Sequence, residues 1–353
     1  MRSIGLILVL AIMGCGRTEI QFNPTSAENP NTTVNQQGPT SNCPSTFSSG
    51  NGSSLSPYAI NNKCDFELLS TSATDLSKYF SLTQDVDVAG VTPHTGGDFT
   101  GHFEGNNHTL NHLTSAYSMF EFNSGTIQNL SVTNAVISRP IGTSGGRAGV
   151  IVGTNNTTGQ IINCQASGEI DNGYYFIGGL VGLNSGTITH SLANVAVNGV
   201  AGIGGLVGVN AGTISQSLSL GKATASASGA MASNSGSGGL TGSNTGTIQD
   251  SFALGAAVGT DQVGGLIGYN SGVVINVFSA GAVTGGTNVG GLIGSVSGGS
   301  VTNGFWDLST SLQASSAAGS GQSTANMQLQ ATFTGYDFST VWYPPASGYP
   351  SLR

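Results

Sequence analysis

Downstream of about residue 175, short apolar stretches alternate with turns of Gly, Asn, Ser and Thr at a fixed step. Gly-Gly-Leu recurs at 178–180, 204–206, 238–240, 264–266 and 290–292, with three intervals of 26 residues and one of 34. Leu180, Leu206, Leu240, Leu266 and Leu292 form one column, and Gly182, Gly208, Gly242, Gly268 and Gly294 follow two residues later. An amide column comes next, at Asn184, Asn210, Asn244 and Asn270, and then an aliphatic one, at Ile188, Ile214, Ile248, Val274 and Val301. Nine residues after each of the first four of these the chain is apolar again, at Val197, Ala223, Ala257 and Val283. Three short apolar stretches per unit, bounded by turn residues, predict three short strands per coil. No apolar pattern of period 3.6 reaches helical length, which argues against helical and leucine-rich repeats.

A repeat in this size range means one unit stacked on copies of itself. The pattern predicts an all-β fold, a solenoid of parallel strands in which each coil adds about 4.8 Å of length. Like residues then stack, and buried Asn side chains can bond one another along the axis. Weaker coils lie upstream, at 118–127 and 149–155 with Ile161 following. The repeats give roughly eight or nine rungs and a rod about 40 Å long. The extra residues of the long interval fall within Ala223–Ser237, read as a loop bulging from one rung.

Composition changes the picture little. Gly accounts for 56 of 353 residues and charged residues for 7%, a balance that resembles a linker, but the fixed repeat and 38% hydrophobic content overrule that. Net charge is −8 and no Lys/Arg cluster occurs, which excludes nucleic acid as an expected partner. Residues 1–14 read as a secretory signal: Arg2, an apolar run over 4–13, then Gly14-Cys15. That run is too short to span a bilayer. Ile12-Met13-Gly14-Cys15 resembles a bacterial lipobox, which implies cleavage before Cys15 and its lipidation. With no Asp after Cys15, the resemblance favours an outer membrane. Residues 15–45 read as the lipidated Cys and a flexible tether, rich in Asn, Thr, Ser and Pro. Cys43 and Cys64 remain as the pair expected to form a disulfide in an oxidising compartment, whereas Cys164 aligns with Ser191, Ser217 and Ser251 and reads as a buried free thiol.

Three stretches match one family pattern. Ser56-Pro57-Tyr58-Ala59-Ile60, Phe80 through Val88, and Phe99-Thr100-Gly101-His102-Phe103-Glu104-Gly105-Asn106-Asn107-His108-Thr109-Leu110 form the first; the Gly-Gly-Leu units form the second. The third is the tail, with Phe305-Trp306-Asp307, Phe333 to Phe338, Val341-Trp342 and Gly348-Tyr349-Pro350. The chain resembles bacterial GLUG-motif proteins over about residues 50–353. The resemblance implies a right-handed parallel β-helix and a surface-exposed or secreted protein of the filamentous-haemagglutinin, adhesin-like kind. Glu104 departs from the family's Asp, Asn107 from a Gly, and Val296 from the Asn column. The family pattern brings no catalytic or ligand residues with it.

Both ends of an open solenoid need covers. Residues 46–84 are assigned to an N-terminal cap with a short helix at 65–70, 85–308 to the repeat β-helix, and 309–353 to a C-terminal cap with a helix near 324–330. Trp306, Phe333, Tyr336, Phe338 and Trp342 are its expected core.

Candidate chemistry is sparse. A polysaccharide lyase or hydrolase needs clustered carboxylates on one face. The repeats offer Glu169, Asp171, Asp250, Asp261 and Asp307; Asp250 aligns with His190, Gln216 and Asn276, a polar corner column rather than a carboxylate pair. His102, Glu104, His108 and His112 are close in sequence, but residues four apart converge on a helix and this segment reads as strand and turn, so no metal is expected. No cofactor is expected either. Tyr174 and Tyr175 are the weak ligand-binding candidates, together with the Ala223–Ser237 loop. The expectation is a surface lipoprotein without catalysis, anchored to a membrane by its lipid and meeting a host or prey glycan or protein. The alternatives are a polysaccharide-active enzyme and a structural envelope component.

Overall fold

The structure is a computed structural model that describes residues 43–71, 75–93, 97–139, 146–172, 175–226 and 236–353. It is an all-β parallel solenoid of about nine turns. One coil illustrates the rest. Val181–Asn184 lies in an eight-stranded sheet, Thr187–Thr189 and Leu192–Gly199 in a 21-stranded sheet, and Ala201–Gly204 in a five-stranded sheet. Three sheets wall the coil, and a corner divides each coil's share of the long one. That corner is left-handed: Asn129, Asn163, His190, Gln216, Asp250, Asn276 and Asn303 all hold φ of 46–54°. Asn and Asp tolerate this region best among residues with a Cβ.

The aliphatic column continues far beyond the regular repeats. Tyr58 pairs with Phe80, then come Phe103, Ile127, Ile161, Ile188, Ile214, Ile248, Val274 and Val301, each in parallel register with the next. All from Phe80 to Val274 are fully buried, as is the Leu column from Leu180 to Leu292. The ladder therefore starts at Tyr58–Ile60 and Tyr79–Leu82, inside the stretch assigned above to the N-terminal cap. Three or four residues carry too little alternation to reveal a strand in isolation.

The amide column is a buried hydrogen-bond ladder. Asn123 Nδ2 donates to Asn155 Oδ1 at 2.7 Å, and Asn155 to Asn184, Asn184 to Asn210, Asn210 to Asn244 and Asn244 to Asn270 each at 2.8 Å. Val296 ends it. Burial without a partner would cost each amide dearly, so the register of the eight-stranded sheet is fixed by this column. A second column acts similarly: the hydroxyls of Ser191, Ser217 and Ser251 accept the backbone N–H of Cys164, Ser191 and Ser217.

Helix α1 (Lys63–Thr71) closes the N-terminal end with Phe66 and Leu69 buried. Its Asp65 accepts from Ser48 N at 2.8 Å and Asn61 N at 3.0 Å, and a Cys43–Cys64 disulfide joins it to the preceding segment. At the other end the C-terminal segment has two roles rather than one. Trp306 plugs the open core: a Cβ on Gly291 would sit 2.0 Å from its ring, and its Nε1 donates to the Gln313 carbonyl at 3.1 Å. Phe333, Tyr336 and Trp342 instead leave the end and pack against the outside of the long sheet, on Leu192, Leu218, Phe252, Phe278 and Phe305. These five occupy one outward column in register. In earlier rungs the same column holds Thr109, Ser131 and Gln165. The outward position turns apolar where a strap covers it. Helices α2 (Leu308–Ser311) and α3 (Thr324–Met327) begin that strap, and Trp342–Tyr343 with Ser351–Leu352 forms an antiparallel pair near its end.

Candidate functional site

Of the residues singled out in the sequence, Cys15 and Tyr174 lie outside the described residues, as do residues 227–235 of the Ala223–Ser237 loop. Tyr175 opens the strand Tyr175–Gly178 and is half-buried, its ring 6.5 Å from Phe176 in a T-shaped contact. Phe176 holds φ of 60° and its ring lies over Gly202 of the next rung, where a Cβ would meet it at 2.7 Å. The described part of this aromatic run thus packs on its neighbour. Cys164 is buried, and burial pushes its thiol up to about 12.

The structure groups titratable residues elsewhere, on the first rungs. Asp85 and Asp87 are alternate residues and share a face. They line a shallow depression with Thr109, Asn111, Thr133 and Asn134. His108 Nδ1 lies 3.4 Å from Asp85 Oδ1, and His112 Nδ1 3.2 Å from Asp87 Oδ2. The Ala89 backbone N–H, donating at 3.0 Å, holds the Asp87 carboxyl below the usual range, and His112 adds to this. This pair of carboxylates escaped the sequence reading; the signal available was the alternation Asp85-Val86-Asp87 opposite His108 and His112 one coil later. Among the described residues, no group of three or more His, Cys, Asp or Glu is arranged to hold a metal ion.

The outer face of the long sheet also carries a ring pair. Tyr79 is 39% exposed, pairs in register with His102, and their rings stack 5.5 Å apart with 25° between planes. Two residues on, Ser81 pairs with Glu104. Burial disfavours the Glu104 carboxylate, but Gln128 Nε2 at 2.6 Å, Asn129 Nδ2 at 2.9 Å and the Asn106 backbone N–H at 2.9 Å outweigh it and hold the carboxyl below its usual value. The Glu104 side chain thus bridges to the next rung. Beyond this point the face continues as Thr126 and Gln128, Gln160 and Ile162, Thr187 and Thr189.

Asp261 near the C-terminal rungs follows the same logic: burial raises its pKa, and bonds from Thr287 and Asn288 more than offset it. Asp307 is fully buried and accepts from Ser309 N, Thr310 N, Thr324 Oγ1 and Tyr349 Oη, a capping role that knits the strap to the last rung. Glu104 and Asp261, held below their usual values by donors, are poor general acids, which require a raised pKa.

No protein-family model matches the chain. An alignment of 173 positions, which covers 41% of this chain, is 32% identical to halomucin of Haloquadratum walsbyi, of which it covers 2%. A crystal structure from Bacteroides ovatus, provisionally described as an immunoglobulin A1 protease, superposes with a TM-score of 0.57 at 22% identity, over 87% of this chain and 95% of that one. A second structure, named IgA1 protease, gives 0.56 at 17% identity over 79% of this chain, which spans 24% of it. At these identities the two structures show that the solenoid fold is shared.

Proposed function

We propose that the protein is a surface-displayed interaction module of the GLUG-repeat type, anchored through a lipid on Cys15 and acting through its outer faces without catalysis. The observation that carries this reading is the continuity of the stacked ladder from Tyr58 to Val301, which makes one rigid unit whose outward columns are regular, mostly uncharged and ordered. A rigid surface loses little entropy on binding. The likeness to a halomucin supports a place at the cell surface. Membrane attachment by the lipid and a host or prey glycan or protein as partner complete the reading.

One observation favours a second reading: the two structures named above carry a protease name. This chain spans 24% of the second of them, and the protease name belongs to that protein as a whole. Against proteolysis by this chain stand the inert Cys164 thiol and the donor-held carboxylates. Incubation of the purified chain with immunoglobulin A1, followed by gel electrophoresis, separates the two. Intact heavy chain is expected, and fragments that depend on the protein would remove the non-catalytic reading. Retention of the labelled chain on intact target cells tests the interaction itself.

A further inference from the structure

We propose that the C-terminal end of the solenoid is a homotypic contact, at which two copies of this chain meet end to end about a two-fold axis. This rests on the interaction-module reading and names a second copy as the partner of one surface. Cys15 precedes the first rung in sequence, so a lipid there leaves the opposite end of the rod free for such a contact.

Three exposed leucines mark this end: Leu308 is 36% exposed, Leu312 73% and Leu329 55%. Leu308 opens α2, Leu312 ends it, and Leu329 follows α3, which lies against α2. Elsewhere among the described residues the large exposed apolar side chains, Leu55, Tyr79, Phe122 and Val273, are scattered singly and need no explanation. The segment after Leu312 crosses the open core. The Gln313 carbonyl accepts from Trp306 there, the Ser315 carbonyl from Gly291 N at 3.0 Å, and Ala317 N donates to the Ile293 carbonyl at 3.0 Å. Leu312 stands at the start of this crossing with φ of 61° and ψ of 22°, the sole aliphatic side chain among the described residues on a left-handed backbone. Glycine or asparagine is the ordinary choice at such a helix end, because a leucine Cβ is strained there. With most of Leu312 exposed, packing inside the fold does not offset that strain, and strain of this kind gathers at functional positions.

Charge selects the partner. Residues 308–336 contain no Asp, Glu, Lys or Arg, although the chain has a net charge of −8, and the bordering Asp307 is fully buried. The other end differs: Lys63 and Glu67 lie in α1, which closes it, and Asp75 and Lys78 follow. A two-fold contact sets each residue near its own copy. A charged patch repels itself in that arrangement, and this uncharged one does not. Its polar groups are self-complementary, since Gln328 and Gln330 are exposed and an amide both donates and accepts. The strand Ser320–Gln322 adds an open edge. It pairs in parallel with Phe305–Asp307 on one side, and among the described residues no strand pairs with its other side. A two-fold axis beside that edge sets the strand antiparallel to its own copy, a pairing that an open edge invites.

The test is sedimentation equilibrium of the full mature chain carrying Cys15→Ala, so that no lipid drives association. A concentration series gives a monomer–dimer equilibrium that stops at the dimer, as a closed two-fold contact requires. Leu312→Asp weakens dimerisation at least about tenfold, the scale of one large apolar side chain lost from each partner. Leu312→Gly weakens it as well while the melting temperature stays close to wild type, because glycine suits the left-handed backbone. That variant decides the matter if Leu312→Asp does not fold. Leu55→Asp, at the other end of the rod, leaves the dimer intact. Circular dichroism and melting curves establish that each variant is folded. A dimer that both Leu312 variants leave unchanged, loss of the dimer in Leu55→Asp, or association that continues past the dimer overturns the two-fold contact. If the chain is monomeric at every concentration yet is retained on intact target cells, the contact is wrong and the interaction-module reading survives. If it is monomeric and not retained, both fail.

Discussion

The indole Nε1 of Trp342 donates to the Asp250 carboxylate at 3.2 Å across 92 residues of sequence. Asp250 sits in the left-handed corner column beside amides and a histidine, and there it also accepts from Asn276 Nδ2 at 3.1 Å. One corner carboxylate thus ties the C-terminal strap to the flank of the solenoid. Asp250→Ala leaves a buried indole N–H without its acceptor and is expected to destabilise the protein by about 1–3 kcal/mol. Asp250→Asn keeps an acceptor and costs less. Urea denaturation of the two variants measures the difference; equal loss would mean that the bond is incidental to the packing of Trp342.

Removing the strap's anchor has a larger effect. Trp342 is fully buried and packs 6.0 Å from Phe252, 6.0 Å from Phe278 and 4.9 Å from Tyr336. Trp342→Ala is expected to cost about 3–5 kcal/mol. It should also uncover the Leu218–Phe252–Phe278 stripe, which a hydrophobic dye reports as new fluorescence before the far-ultraviolet signal of the solenoid changes. Loss of all structure in a single step would show that the strap and the solenoid are one cooperative unit.

The asparagine ladder gives a position-dependent prediction. Asn210 bonds Asn184 on one side and Asn244 on the other, whereas Asn123 bonds one other ladder amide. Asn210→Ala leaves two buried ladder partners unsatisfied, at about 1–3 kcal/mol each. Asn123→Ala leaves one. Melting temperatures should fall in that order, and the reverse order would contradict a continuous ladder.

The Glu104 network sets a pH dependence. Its carboxyl is held below the ordinary glutamate value of about 4.3, because the bonds from Gln128, Asn129 and Asn106 exceed the opposing effect of burial. A folded-state value lowered in this way adds stability that is present above the unfolded value and is lost as pH falls through the folded one. The stability difference between the wild type and Glu104→Gln should therefore shrink as pH drops from about 6 to about 3. A difference that stays constant across this window would show that the carboxylate is not preferentially ionised in the fold.

At the N-terminal end, the Cys43–Cys64 bridge closes a loop with a sequence separation of 21 residues. Its removal in the Cys43→Ser/Cys64→Ser double variant is expected to cost about 3 kcal/mol, mainly through the unfolded state. Reduction of the wild type should reproduce that loss, and Cys164, buried with its thiol pushed up, should stay unmodified by alkylating reagents until the protein unfolds.

Much of this architecture is written in the repeats. Leu180, Ile188 and Asn184 recur at constant phase, so their stacking and the amide ladder follow from sequence alone. What the repeats hide is local or long-range. Tyr58–Ile60 is too short to show a strand pattern, although it starts the ladder. The strap is hidden for another reason. Leu192, Leu218, Phe252, Phe278 and Phe305 form an apolar column that the sequence does not assign to either side, because an apolar residue on a strand does not declare which face it is on until register is known. The Tyr79–His102 ring pair is hidden likewise, since its two rings are adjacent only through the coil. The aromatics that sequence did single out include Tyr175, which packs against Phe176.

The most direct test of the account is the exposure of this rod on living cells. A C-terminal epitope is added, intact cells are treated with protease, and the Cys15→Ala variant is compared. Stripping of the epitope from intact cells, together with release of the Cys15→Ala protein into the medium, is the predicted result. An epitope that survives until the outer envelope is broken would place the rod inside the envelope and contradict a surface-displayed interaction module.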